Sequence, residues 1–549
     1  MRLENFDSAV RPIRQKIMLF DTVSLFDELL RYLGQTPEMK ENGQIAAPWV
    51  VLLAIDWVLE LHPYSGKMRA TQRDVQWVLN RIWRTQHIAV GVDTSPLSVQ
   101  IRALVAPQIT FQKSSRGMIY FFLRMKKIIA ADSNQETTFK SSFRKRHGIE
   151  FETFYELTFI LCIYCMTKKT EIFSYSVLAE NLTPHYPVDD VIKAVNILSC
   201  TLSELVKKAS REPERAIHNN EYFKESLFLD SPLLLTRKGI LVVHPTVVMI
   251  GISESIVRCF LKDQQSNRTV FTRCFEEYIN QIHQEFSILY LREDELQKFY
   301  AHNNIRDRMV IDFLVLEKNA NIFIDAKGVD PTNPVLSATS RYVISRRIED
   351  HHVKAIRQII DTIDILSSNN FDKITSIENR FGLVITHQDF FLGTGDRILS
   401  FLHDSIRSEL EILAKDKLHF SNIHFMTIDQ YEKLHRVVSE SEANLVDFFS
   451  FVKESELEPV TMKMTMDMYI ESFCKKVFGR NHFPDGSASV VAEKERMFEI
   501  ALNALSHNKN YWKDIGKQGD LGINHFLNIR QRIFDETYLA RAIEPPPAI

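Results

Sequence analysis

Three charged side chains stand inside the apolar runs of "MVIDFLVLEKNANIFIDAKG", Met309 to Gly328: Asp312, Asp325 and Lys327. Side chains alternate along a strand, so Asp325 and Lys327, two apart in "NIFIDAK", project from one face. Asp312 falls mid-strand in "MVIDFLVL", with apolar neighbours on both sides. A buried carboxylate is costly unless paired, and two carboxylates brought together repel each other as well. A hard divalent cation answers both objections. Mg²⁺, with Mn²⁺ as the alternative ion, accepts carboxylate oxygens, keeps part of its water shell and makes a bound water more acidic. Lys327 would then position or deprotonate that water, or offset charge building on a phosphate. This is the chemistry of phosphodiester hydrolysis. The plainer alternative is a bulge closed by Asp312 and a strand-end ion pair of little energetic weight.

Such a group needs a hairpin to hold it and helices to cover it. "MVIDFLVL" and "NIFIDAK" read as its two strands, joined by the turn "EKNA". Upstream, "FTRCFEEYINQIHQEF" puts Phe271, Cys274, Phe275, Tyr278, Ile279, Ile282 and Phe286 on one helical stripe. Downstream come a helix in "EDHHVKAIRQIIDTIDIL", a buried strand "FGLVITH", a helix through "DRILSFLHDSIRSELEILAK", and a strand "NIHFMTI" leading into a helix capped by Asp429.

This order resembles the PD-(D/E)xK nuclease superfamily, whose restriction-endonuclease-like core runs αβββαβ. The resemblance rests on Asp312, then Asp325-Ala326-Lys327 at the end of the second hairpin strand, and covers residues ~265–440. The first core strand falls in "FSILYL" or near "LQKFYAHN". The family's additional acid, in a Phe-Glu pair of the preceding helix, corresponds to Phe275-Glu276, with Glu277 as a competitor. Its Lys or Gln on the following helix corresponds to Lys354 and Gln358, four apart on one face. Ile311-Asp312 replaces the family's Pro-Asp, which leaves the carboxylate in place. The resemblance implies a Mg²⁺-dependent endonuclease in which Asp312, Asp325 and Glu276 hold the metal and Lys327 serves the attacking water. DNA is the favoured substrate. RNA such as transfer RNA is the alternative within the fold, and a non-catalytic DNA-binding or regulatory protein is the alternative outside it.

Between the strand of Lys327 and the next helix, Arg341, Arg346, Arg347 and Lys354 gather charge that a phosphate backbone entering the site would need. His351 and His352 follow, but Mg²⁺ prefers oxygen, so they are left outside the site.

The remaining chain is read as helical domains around this α/β centre: residues 1–135, a helical block at 136–265, the nuclease-like domain at 266–440 and a helical region at 441–549. With 549 residues, length alone predicts about three domains. In the first, "SLFDELLRYL" and "DVQWVLNRIW" carry apolar residues at helical spacing. "ADSNQETTFKSSFRKRHG" reads as an exposed linker closed by a basic cluster, Arg144 to His147. "YSVLAENLTPHYPVDDVIKAVNILSCTL" and the hairpin "SPLLLTRKGILVVHP" suggest a winged helix-turn-helix with Val188 to Leu205 as its recognition helix. The "CIYC" pair, Cys162 and Cys165, reads as buried helix packing and not as a metal site. The tail is helical in "MYIESFCKKVF" and "EKERMFEIALNAL" and ends in a frayed "IEPPPAI".

A net charge of −3 predicts no partner by itself. Six cysteines in so long a chain match a reducing compartment, and with no spanning segment or signal peptide the expectation is cytoplasmic. Helical domains flanking such a nuclease resemble stand-alone effectors of prokaryotic anti-phage defence, which implies a phage-derived trigger and leaves oligomerisation open.

Overall fold

The computed structural model describes residues 5–542, apart from 42–46, 92–96, 110, 112–114, 168–171, 213, 262–264, 330, 332, 481–485 and 507. The frayed terminus expected after residue 542 lies outside that range. The chain is mostly helical and carries two small mixed sheets. Among the described residues no helix is long and apolar enough to cross a membrane.

The first sheet has the order β1-β4-β3-β2, with β1 Ile172–Ser174, β2 Ser199–Thr201, β3 Leu233–Thr236 and β4 Gly239–Val242. The hairpin of β3 and β4 turns at "TRKG" as expected, with Thr236 paired to Gly239. Thr236 Oγ1 accepts from the N–H groups of Lys238 and Gly239. Gly239 adopts φ +152°, and a Cβ there would strike the Phe173 carbonyl. The expected recognition helix is shorter than read. It ends at Leu198, because Ser199–Thr201 leaves to pair in parallel with Leu233–Leu235.

The second sheet has the order β5-β6-β7-β8-β9, with β5 Tyr290–Arg292, β6 Phe313–Glu317, β7 Ala320–Lys327, β8 Arg380–Thr386 and β9 Ile423–Thr427. The β5–β6 and β6–β7 pairs are antiparallel, whereas β7–β8 and β8–β9 are parallel. "FSILYL" therefore reaches into the first strand, and "LQKFYAHN" belongs to the helix Glu293–His302.

Alternation along β7 divides the core. Ile322, Ile324 and Ala326 pack with Phe271, Phe275 and Tyr278 of the helix Gln265–Glu285 in one apolar cluster. Phe323 faces the other way, into a cluster with Ile356, Ile359 and Ile363 of the helix Lys354–Ser368. A third cluster joins the first hundred residues to Cys200–Val247.

The supposed linker is a helix, Ser133–His147, capped by Asp132 and ended by Gly148 at φ +67°. Phe139 and Phe143, four apart, bury its inner edge. Its basic end is a solvated terminus in which Arg144 pairs with Glu150. The segment after β7 holds short helices, Asn333–Leu336 and Arg341–Ile348, then a π-helical turn, Glu349–Val353, running into the next helix. The helix expected over "DRILSFLHDSIRSELEILAK" breaks into Gly395–Phe401 and Asp404–Ala414. Thr427, boxed with Gln430, caps the helix after β9 in place of Asp429. Cys162 and Cys165 are buried in one helix as read, and burial pushes the Cys162 thiol up to about 12.

Candidate active site

The β6–β7 register pairs Phe313 with Ile324. One step beyond, Asp312 stands opposite Asp325, but as a bend before β6 and not mid-strand as expected. Its carboxylate takes over the ladder there, with Oδ2 accepting from the Ala326 N–H at 2.6 Å. Its carbonyl accepts from the Glu293 N–H at 3.0 Å, which ties β6 to the start of the next helix.

Asp325 is fully buried. Lys327 Nζ lies 2.5 Å from its Oδ2 as an ion pair outside hydrogen-bond geometry, and neither carboxylate oxygen has a hydrogen-bond partner among the described residues. Lys327 Nζ also donates to Gln358 Oε1 at 3.3 Å, while Gln358 Nε2 donates to the Val310 carbonyl at 3.2 Å. Gln358 thus bridges the lysine to the chain just before Asp312.

Glu276 approaches from the opposite helix. Phe275, fully buried, fixes the helix against β7, and Gly328 permits the approach, since a Cβ there would come within 3.2 Å of Thr272 Cα. The competitor Glu277 is occupied, accepting from Asn280 at 2.7 Å and Arg292 at 3.1 Å.

The three acids share one electrostatic field. Burial holds the Asp312 carboxyl well above the usual carboxylate range, and the charges of Asp325 and Glu276 push it further. Burial also raises Glu276, to about 7, with Glu293 and Asp325 adding to the rise and Lys327 opposing it. Asp325 is raised by burial against the pull of Lys327 and Lys354. Glu293 escaped the sequence reading because it looks like an ordinary acidic first turn in "REDELQ".

Among the described residues no group of three or more His, Cys, Asp or Glu side chains is placed so that it could hold a metal ion. What the three acids share is donor chemistry, the oxygen ligands a hard cation takes. The set offers carboxylate oxygens only, and Asp325 Oδ1 is buried without a partner.

The expected phosphate contacts divide. Arg341 is occupied: it donates to the Leu402 carbonyl and pairs with Asp404 at 2.6 Å. Arg346 and Arg347 are exposed, with no ion pair among the described residues, and Lys354 is exposed on the helix that carries Gln358. His352 is buried against Phe390, and burial drops its imidazole to about 3.

The helix proposed to read DNA, Val188–Leu198, is covered. Asn196 donates to the Glu536 carbonyl at 3.3 Å, Lys193 donates to the Gly148 carbonyl at 2.6 Å, and Asp189 pairs with Arg532. Of its 11 residues only Asp189 is exposed.

No protein-family model matches the chain, and neither a curated protein nor a solved structure does.

Proposed function

We propose that the chain is a metal-dependent nuclease that hydrolyses phosphodiester bonds, with DNA as the favoured substrate. The observation that carries this reading is Asp325, a fully buried carboxylate whose Oδ1 has no hydrogen-bond partner, set between Lys327 and a second acid. A merely structural acid would be expected to satisfy its oxygens or to lie in water. Support also comes from the order of elements: the helix Gln265–Glu285, β5, β6, β7, the helix Lys354–Ser368 and β8 come in the αβββαβ order of the restriction-endonuclease-like core, with the helix Glu293–His302 inserted between β5 and β6 and short helices inserted after β7.

In this reading Asp312, Asp325 and Glu276 hold Mg²⁺. The bound ion supplies Lewis acidity and a water of lowered pKa. Lys327, kept in place by Gln358, holds a positive charge where a phosphate gains negative charge. Arg346, Arg347 and Lys354 supply the exposed charge that guides a backbone toward the acids. The proposed setting is a stand-alone defence effector acting in the cytoplasm, released by a phage-derived trigger.

The test incubates wild type and Asp325→Ala with plasmid, linear DNA and total RNA, in Mg²⁺ or EDTA. Cleavage by wild type that needs the metal and vanishes in the variant is expected. Toxicity on expression, abolished by Asp325→Ala, covers a nuclease that awaits its trigger. Cleavage that survives the substitution or EDTA would sink the mechanism, and cleavage of RNA alone would move the substrate.

A further inference from the structure

We infer that the helix Gln72–Arg84 is a second nucleic-acid contact, shaped to lie along the major groove of duplex DNA, on the far side of the chain's sequence from the acidic site. Its inner face is settled: Val75, Val78, Leu79 and Ile82 are buried, packed against the helices Phe6–Ile17 and Pro48–Glu60. Its outer face carries Arg73, Gln76, Trp77, Asn80, Arg81 and Arg84, all exposed. At 100° per residue, Arg73, Trp77, Asn80 and Arg84 form the row directly opposite the buried stripe.

The row carries two arginines, with a third, Arg81, to one side; there is no acid among them, and none makes an ion pair among the described residues. The helix's single acid, Asp74, is drawn to the side, where it boxes with Thr71 and pairs with Lys16 at 3.4 Å. Trp77 remains 37% exposed in the centre, with the Arg81 guanidinium 5.4 Å from its ring. The cation–π contact with Arg81 accounts for part of the exposed indole, but Arg73 and Arg84 on either side of it have no counter-charge among the described residues. A phosphate backbone uses the cations, and a base edge or sugar uses the indole and the amides of Gln76 and Asn80.

Dimensions favour a DNA duplex over RNA. A B-form major groove about 12 Å wide admits a helix about 10–12 Å across lying along it, and Arg73 and Arg84 then stand about 16 Å apart along the axis at 1.5 Å per residue. The deep, narrow major groove of an RNA duplex does not admit a helix. Beside the helix start, a cavity of about 410 Å³ is lined by Arg31, Arg69, Gln72 and Tyr32 and extends the basic surface, although Glu28 neutralises Arg31.

This inference stands apart from the acidic site, and its test keeps the two separate. The full chain carrying Asp325→Asn is titrated in EDTA against a labelled DNA duplex and its RNA counterpart by fluorescence anisotropy, at several salt concentrations. Against that parent, Arg73→Glu with Arg84→Glu is expected to weaken DNA binding at least about tenfold and to lower the slope of log K against log salt by about 2. Arg73→Gln with Arg84→Gln lowers the slope equally without reversing charge, and Trp77→Ala weakens binding with the slope unchanged. Absence of DNA binding by the parent, equal affinity for duplex RNA, or an unaltered slope in both arginine variants overturns the inference. Loss of binding in those variants beside a wild type that neither cuts in Mg²⁺ nor is toxic on expression would remove the nuclease reading and leave this one.

Discussion

Replacing Lys327 by Met separates a metal site from an ordinary ion pair. The side chain of Asp325 is 0% exposed and that of Lys327 17%, so the substitution leaves a buried carboxylate without its ion-pair partner, with only the more weakly felt charge of Lys354. Breaking a buried pair from one side costs about 3–5 kcal/mol, and the residual exposure of Lys327 places this case near 3. At about 2–4 °C per kcal/mol for a domain of some 200 residues, the melting temperature in EDTA should fall by about 6–12 °C. Mg²⁺ at about a hundred times its Kd returns about 2.7 kcal/mol to any form that binds it. A cation beside Asp325 can stand in for the lost ammonium, so Lys327→Met should regain more from Mg²⁺ than wild type does. Removing both charges, Lys327→Met with Asp325→Asn, should restore stability in EDTA and abolish the response to Mg²⁺. Cleavage should fall about 10²–10⁴-fold in the single variant. Differential scanning fluorimetry with and without Mg²⁺ reads all three proteins. A double variant that still responds to Mg²⁺ as wild type does would refute the assignment of the metal to these acids, and a single variant as stable as wild type in EDTA would refute the energetic argument.

Two further outcomes follow from buried charge elsewhere. Burial holds His244 near 4 and His352, His424 and His435 near 3, below the ordinary value, so each is neutral when folded. Their contribution is fully present above pH 6.5 and is lost as pH falls toward the folded values, at about 2 kcal/mol each by pH 5. Thermal melts from pH 7.5 to 5 should therefore drop steeply. His424→Phe, replacing a ring stacked on Phe449 with both nitrogens unpartnered, should flatten the drop, and an unchanged slope would refute the point. Arg124 donates to Glu432 at 2.8 Å, and Glu432 also accepts from Tyr278 at 2.7 Å and the Ser487 N–H at 3.1 Å. Arg124 also pairs with the part-exposed Asp429 at 2.6 Å, so Arg124→Met should cost about 3–5 kcal/mol in denaturant unfolding and be partly rescued by Glu432→Gln; no rescue at all in the pair would refute the charge account.

Elements with a strong apolar period were legible in the sequence, and those held by distant partners were not. The stripe Phe271–Ile282 and the hairpin of β6 and β7 announce themselves, because burial there needs only the local alternation. Ser199–Thr201 looks like the continuation of a helix, since its strand partner Leu233–Leu235 lies some thirty residues away. Residues 131–148 read as a linker because their polar composition outweighs two phenylalanines; one helical turn between Phe139 and Phe143 was the whole signal. The cap after β9 failed on a choice between neighbours, Thr427 and Asp429, which only the backbone geometry decides.

The site shows the same division from the side of charge. Asp325 was legible because an acid in a run of isoleucine and phenylalanine violates the rule that charges stay in water, and such a violation needs a cause. Glu276 was only half legible, since Arg292 and Asn280, not the helical wheel, take Glu277 out of contention. Arg341 was misjudged for the mirror reason: an arginine in a polar segment looks free, and its partners Leu402 and Asp404 lie some sixty residues on. The row Arg73, Trp77, Asn80 and Arg84 was passed over because charge on a helix's outer face breaks no rule. Sequence exposes chemistry where burial and charge conflict. Where chemistry is done at the surface, the signal is a missing counter-charge, and that becomes visible only once every neighbour has a place.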